Sequence, residues 1–508
     1  MTAITLDVIR AAAEIEGVCV RPIVSHLHDV ETGKKRLVPI PCGSTREAQC
    51  PPCADKARKL RMQQCREGWH LDTEPDPPEH DEDDGYGEDA EDQADDADGG
   101  SERRVRSTRR RQDAPDLPSY EVEARTVGQV FTTDGGKTYR PSMFATMTLP
   151  SYGRVRSDGT PVDPGSYDYR QAALDAMHFP KLVDRFWQNL RRAVGYRVQY
   201  FAAVEPQRRL APHLHAAIRG AIPRVVMRQV IAGTYHQVWW PAFDEPVYDD
   251  EELPGWDHSA GGYVDPDTGE LLPTWEQALD RLDTDPDARP GHVVRFGEQT
   301  DLQGILAGTS QADRRVGYLC KYLNKSIADT HPDEEPSARR SAHVDRLWEQ
   351  ARWLPCSPRC GNWLRYGVQP KDARPTLEPG RCRGKAHRRD TLGCGGRRVL
   401  VSRQWTGKTL TQHRADRAAV VRAVLEEAGI EAPDVDRYST KVTTADGRPR
   451  FVWTAVRAHE VPAYRELLLD LLKERQRWRG QYEDAKQRAG PPGRDLSATE
   501  EAAEEVAA

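Results

Sequence analysis

Between Tyr196 and Gly220, two apolar segments, YRVQYFAAVEP and PHLHAAIRG, flank the polar pentapeptide QRRLA. Two strand-length runs joined by so short a turn pair as an antiparallel hairpin. Side chains alternate across a strand, so Leu214 enters the core while His213 and His215 project together from the other face. Glu205, at the end of the first run, is carried beside the histidines by the turn. Two imidazoles and one carboxylate leave open positions on a divalent ion, which suits catalysis better than a closed structural site.

The surrounding chain builds a sheet around that hairpin. MFATMTL (Met143–Leu149) reads as a buried strand, and FPKLVDRFWQNLRRAVG as a helix stopped by Gly195. IPRVVMRQVIAGTYHQVWW, opened by Pro223, reads as a helix, HVVRFGEQ (His292–Gln299) as a strand, and ADRRVGYLCKYLNKSIAD (Ala312–Asp329) as a helix. Residues 241–290, rich in Pro, Asp and Gly, read as an insertion. A small sheet with helices packed on it is of the α+β class. On the last helix Tyr318, Tyr322 and Lys325 fall at i, i+4 and i+7 and share a face, with Lys321 beside it. A core stripe would not choose ammonium neighbours, so these tyrosines are candidate reactive groups.

PHLHAAIRG resembles the His-hydrophobic-His motif of the HUH endonucleases, and GYLCKYLNKS the two-tyrosine motif of their rolling-circle replication initiators. FATMTLPSYG resembles the strand that precedes the histidines in the same family, and the three motifs stand in the family's order. CGSTREAQCPPCADK, NWLRYGVQP and RRVLVSRQWTGKTL extend the likeness to the initiators of actinomycete plasmids and integrative elements, over most of the chain. The resemblance implies the HUH fold, an antiparallel sheet with packed helices. It further implies that His213, His215 and Glu205 hold Mg2+ or Mn2+, that Tyr318 or Tyr322 attacks a DNA phosphate, and that Lys321 and Lys325 hold the phosphate or leaving oxygen. An apolar residue usually lies three positions before the initiating tyrosine. Leu319 before Tyr322 therefore favours Tyr322 for the first cut and Tyr318 for the terminating transfer. Thr146 and Thr148 line the same sheet without an assigned role.

The chain's ten cysteines are expected in a reducing, cytoplasmic setting, because MTAITLDVIRAAAEIEGV lacks the basic leader of a secretory signal. There, metal ligation outweighs disulfides. Cys42, Cys50, Cys53 and Cys65 form a candidate zinc tetrad, with His70 an alternative to Cys65. Cys356, Cys360, Cys382 and His387 form a second, with Cys394 an alternative to His387. Cys19 and Cys320 read as small packing residues. Closed sulfur-rich tetrads leave no open position, so structural Zn2+ is expected in both.

Residues Glu74 to Asp98 hold 14 acids and no Lys or Arg, too polar to offset an ordering entropy and expected to be disordered. Removing these charges takes the formal net charge from -7 to +7, a basic balance that favours a polyanionic partner. Six arginines follow between Arg103 and Arg111. The expected organisation is a zinc-ribbon-like module at 1–72, a linker at 73–118 and a nickase domain at 119–330. A second Cys/His module at 331–400, a C-terminal α/β region at 401–488 and a tail at 489–508 follow.

No stretch approaches the ~18–20 apolar residues of a membrane span. TGKT at Thr406–Thr409 has Ser402 where a phosphate-binding loop needs glycine, so no ATP use is expected. The expected function is therefore initiation of plasmid rolling-circle replication, by metal-dependent nicking and strand transfer through a 5′-phosphotyrosine. The expected partners are origin DNA, a host helicase and a DNA polymerase. A conjugative relaxase or transposase with the same chemistry is one alternative. A zinc-containing DNA-binding regulator without chemistry is another.

Overall fold

The computed structural model describes residues 5–71, 75, 117–123, 131–132, 138–249, 252–325, 337–427 and 442–489. The bulk of the acidic tract, the arginine cluster and the tail from Gly490 lie outside these. The chain divides into two units, one of residues 65–407 and one combining 1–64 with 408–508.

In the larger unit the labelled elements are β1 (Pro141–Met147), α1 (Tyr169–Val194), β2 (Tyr200–Pro206), β3 (Pro212–Arg219), β4 (Thr300–Leu306), α2 (Ser310–Cys320), α3 (Ala338–Trp353) and β5 (Val399–Val401). The strands form one antiparallel sheet in the order β4-β1-β3-β2-β5. Every residue of β2 and β3 is buried, because both faces of the hairpin are covered. Met143, Ala145, Ala202, Val204, Leu214 and Ala216 point to one face and enter the core with Leu182, Phe186 and Trp187 of α1. Each such large side chain contributes ~1.5–3 kcal/mol by burial. Alternation leaves Glu205, His213, His215 and Thr146 to the opposite face.

The mixed α+β architecture with antiparallel sheets is as expected, while several elements differ. α1 starts ten residues before Phe179, with the Asp168 side chain accepting from Gln171 N–H at 2.8 Å, and it runs through Pro180. Buried Ala172, Ala173 and Ala176 continue its apolar face, and that packing outweighs the backbone bond a proline removes. Its expected stop holds, with Gly195 at φ 71° as the left-handed cap. The helix from Arg224 ends at Gly233, and Tyr235–Val238 is a strand paired with His292–Arg295 outside the main sheet. Edge strand β4 was not anticipated from TDLQGIL, whose burial lacks strict alternation. The insertion folds as a small hairpin, Gly255–Asp257 with Gly262–Val264, and a helix, Trp275–Thr284.

The smaller unit has a three-stranded antiparallel sheet with Ile23–Asp29 between Phe451–Ala455 and Lys35–Ile40. Ile9 and Ala13 of the helix Leu6–Ile15 pack with Leu468 and Leu472 of the helix Tyr464–Ala489. The expected separate modules at 1–72 and 401–488 thus share one sheet and one core. Residues 331–400 fall within the larger unit instead of standing apart.

Candidate active site

Strand register assembles the site. Glu205 lies directly across from His213, and His215 lies between Ala203 on one side and Thr146 on the other. All three metal-ligand candidates therefore share one face. His213 and His215 bring their Nε2 atoms to 2.6 Å, and Glu205 Oε2 lies 3.8 Å from His215 Nε2. Thr146 Oγ1 is 2.9 Å from His215 Nδ1. With Nδ1–H donating to that hydroxyl, the Nε2 lone pair of His215 faces the other two ligands. Phe144 stacks on the His215 ring at 5.8 Å.

The electrostatics favour a cation here. Burial pushes the Glu205 carboxyl up to about 7, with Arg398 and Lys321 opposing the rise. Burial also pulls His215 down to about 2, with His213 and Arg315 adding to the effect. Among the described residues Glu205 Oε1 is buried with no hydrogen-bond partner. A neutral imidazole facing a second one at 2.6 Å, beside an unsatisfied carboxyl oxygen, is a costly arrangement unless a positive charge sits between them. The two nitrogens and one oxygen lie within 4.8 Å of one another. Neighbouring ligands on an octahedral ion with ~2.1 Å bonds are ~3 Å apart, so the donor set fits a small divalent ion.

Helix α2 carries Tyr318 to this face. Thr309 caps its start through Ala312 N–H. The Tyr318 hydroxyl lies 3.3 Å from His215 Nε2, and its ring meets that of His215 edge-on at 5.0 Å. Tyr318 is 39% exposed, so its hydroxyl borders both the histidine pair and solvent. Burial raises its pKa, and the charges of Glu205 and Tyr322 add to this, while Arg315 and Lys321 oppose it.

The expected helix Ala312–Asp329 stops at Cys320. The backbone then tightens to short-range bonds, Lys321 N–H to Tyr318 O and Lys325 N–H to Tyr322 O, both at 3.2 Å. The face shared by Tyr318, Tyr322 and Lys325 consequently does not follow from one continuous helix. Lys321 Nζ sits 4.9 Å over the Tyr322 ring. Residues 326–329 lie outside the described residues.

Sequence reasoning missed Arg398, which precedes β5. Its Nε donates to Val204 O at 3.3 Å, next to Glu205, and its Nη1 donates to Lys325 O. Its Nη2 is buried with no hydrogen-bond partner among the described residues. One guanidinium therefore ties the ligand strand to the segment that follows the tyrosine helix. An arginine before an apolar strand is too common a pattern to have marked it. Thr148, by contrast, is spent on Gln299 O at 2.9 Å.

Two cysteine clusters lie apart from the histidine pair. Cys356, Cys360, Cys382 and His387 come together, with Cys356 and Cys382 sulfurs 4.0 Å apart and Cys360 Sγ 3.4 Å from His387 Nε2. His387 Nδ1 lies 2.7 Å from Ala351 O and donates to it, leaving Nε2 for the cluster. The Cys394 alternative is not among the four.

The first tetrad requires a correction. Cys42, Cys50 and Cys53 gather, but their fourth member is Cys19, for which the sequence suggests only a packing role. Cys65 lies further along the helix Pro51–His70, and at ~1.5 Å of rise per residue it is ~18 Å beyond Cys53. Its thiol meets that of Cys320 instead. His70, the alternative, accepts from Gly308 N–H at 2.7 Å and faces Asp313 at 3.4 Å.

Among the described residues no helix is long and apolar enough to cross a membrane. No solved structure matches the chain. A replication initiator protein of Streptomyces ambofaciens is 26% identical over 233 residues, covering 37% of this chain and 43% of that relative. The chain spans less than half of that relative's length. The family described as "Replication initiator protein, pSAM2" matches residues 5–474, nearly the whole chain. The chain therefore belongs to the pSAM2-type replication initiator family.

Proposed function

We propose that this chain initiates plasmid replication as an HUH-type endonuclease, nicking one DNA strand at the origin and keeping its 5′ end on a tyrosine. The observation that carries this reading is the Tyr318 hydroxyl 3.3 Å from His215, on the sheet face that also holds Glu205 and His213. Glu205, His213 and His215 would hold a Mg2+ or Mn2+ ion, which supplies Lewis-acid polarisation of the scissile phosphate. Thr146 orients His215 for that task, and Phe144 stacks on the ring.

Tyr318 is the nucleophile of the first cut in this reading, reversing the order inferred from Leu319. Its Oη forms a bond to phosphorus while the bond from phosphorus to the 3′ oxygen breaks. The phenolic proton leaves through the solvent-exposed edge of Tyr318, and the departing 3′ oxygen takes one up. Lys321 favours the phenolate by its charge. Arg398 ties the segment after the helix to the ligand strand, and Lys325 in that segment is the candidate to hold a phosphate. Tyr322 is left for the terminating transfer that closes the displaced strand. The freed 3′-hydroxyl primes a host polymerase, and unwinding falls to a host helicase.

The test is incubation of the full chain with a labelled single-stranded origin oligonucleotide and manganese. A covalent protein–DNA band is expected from the wild type and from Tyr322→Phe, and a loss of most of that band from Tyr318→Phe. A band unchanged in the Tyr318→Phe, Tyr322→Phe double variant sinks the mechanism. Absence of any band from the wild type leaves the non-catalytic, DNA-binding reading in its place.

A further inference from the structure

The smaller unit holds a cysteine cluster that owes nothing to the strand-borne site. The helix Leu6–Ile15 ends in a left-handed turn at Gly17, φ 68°, closed by Val18 N–H to Ala13 O at 2.8 Å and Gly17 N–H to Glu14 O at 3.2 Å. That turn sends Cys19 inward, where it is buried. Cys42 stands just past the strand Lys35–Ile40, while Cys50 precedes the helix Pro51–His70 and Cys53 lies in its first turn. Three stretches of chain thus meet at four sulfurs, all within 4.8 Å of one another.

The spacing decides what they do. The Cys19 and Cys50 sulfurs are 3.8 Å apart, nearly twice the ~2.05 Å of a disulfide bond, and all four cysteines are free. Four sulfurs around an ion with ~2.3 Å bonds lie ~3.8 Å apart along each edge of the tetrahedron. Cys42 N–H donates to Cys19 Sγ at 3.3 Å, a bond that favours the thiolate over the thiol. The core beside the cluster is small, with Ile9, Ala13, Leu468 and Leu472 as its main apolar members. A core of that size leaves room for a metal to contribute folding free energy.

We infer that Cys19, Cys42, Cys50 and Cys53 bind one structural zinc ion, with Cys19 as the ligand that closes the site and Cys65 outside it. The assignment stands whether or not the other unit cuts DNA. Zinc measured in purified full chain should fall by one ion per chain in Cys19→Ser and stay unchanged in Cys65→Ser. If Cys19→Ser fails to fold, the wild-type chain still answers through alkylation followed by peptide mass analysis. Cys19 should be protected together with Cys42, Cys50 and Cys53 while zinc is bound, and labelled together with them once a chelator removes it. Zinc lost from Cys65→Ser but kept in Cys19→Ser overturns the assignment. So does Cys19 labelling at one rate with and without the chelator.

Discussion

Glu205, His213 and His215 come from two adjacent strands joined by a short turn, whereas Cys19, Cys42, Cys50 and Cys53 come from a helix end, a strand exit and the start of a second helix. In the hairpin the ladder of backbone bonds places the ligands, and the packed sheet holds that ladder in register. In the four-cysteine cluster no ladder connects the parts, and the inferred zinc ion would hold the elements together through its ligands. On that inference the hairpin site is a consequence of the fold, and the four-cysteine site would be part of its cause. Removing a ligand should cost chemistry in the first and stability in the second.

The largest effect that would expose this difference comes from pairing His215→Gln with Cys360→Ser, which breaks the other thiolate cluster. His215→Gln should lower nicking by ~10²–10³-fold or more, the scale of losing one group that meets transition-state charge. Its melting temperature should move by only a few degrees. Cys360→Ser should lose a zinc ion and melt on the order of 10 °C lower. Calorimetry beside a nicking assay checks both. A destabilised His215→Gln with proportionate loss of nicking would erase the distinction.

A smaller effect is expected from Thr146→Val, which removes the hydroxyl facing His215 Nδ1 and keeps the strand's shape. Groups that orient a metal-bound histidine are worth ~10–100-fold in affinity. Manganese titration followed by calorimetry should show that loss with little change in the melting of the metal-free chain. Unchanged affinity would mean that burial alone sets the orientation of His215.

The smallest effect is a dependence on pH. Glu205 stands at about 7 in the metal-free fold, above the ~4.3 of an unperturbed glutamate, because burial disfavours its charge. Its neutral form stabilises the metal-free fold below ~4.3, and that contribution is lost as pH rises through about 7. An ion must displace the proton, so manganese affinity should rise by up to ~10-fold per pH unit below about 7 and level off above it. Isothermal titration across about three pH units centred on that value checks the sign. Glu205→Gln should flatten the profile, and a wild-type affinity that falls with pH would place the displaced proton elsewhere.

What the amino-acid sequence determined by itself was local. A strand period of two puts His213 and His215 on one face, and a short turn brings Glu205 across from His213, because both rest on contacts between near neighbours in the chain. The stop of α1 at Gly195 follows in the same way from the conformational freedom of one glycine. The cluster of Cys356, Cys360, Cys382 and His387 was legible because its members fall in two closely spaced pairs, Cys356 with Cys360 and Cys382 with His387.

Tertiary structure decided the rest. Cys65 stands nearer to the Cys42–Cys53 run in sequence than Cys19 does, yet the turn at Gly17 brings Cys19 to the cluster and the straight run of a helix carries Cys65 away. Arg398 reaches Glu205's neighbour across nearly two hundred residues, a distance over which no sequence period carries information. Tyr318 and Tyr322 look equivalent at i and i+4. The end of α2 at Cys320 breaks that equivalence, because a helix persists only as far as its packing and backbone bonds sustain it.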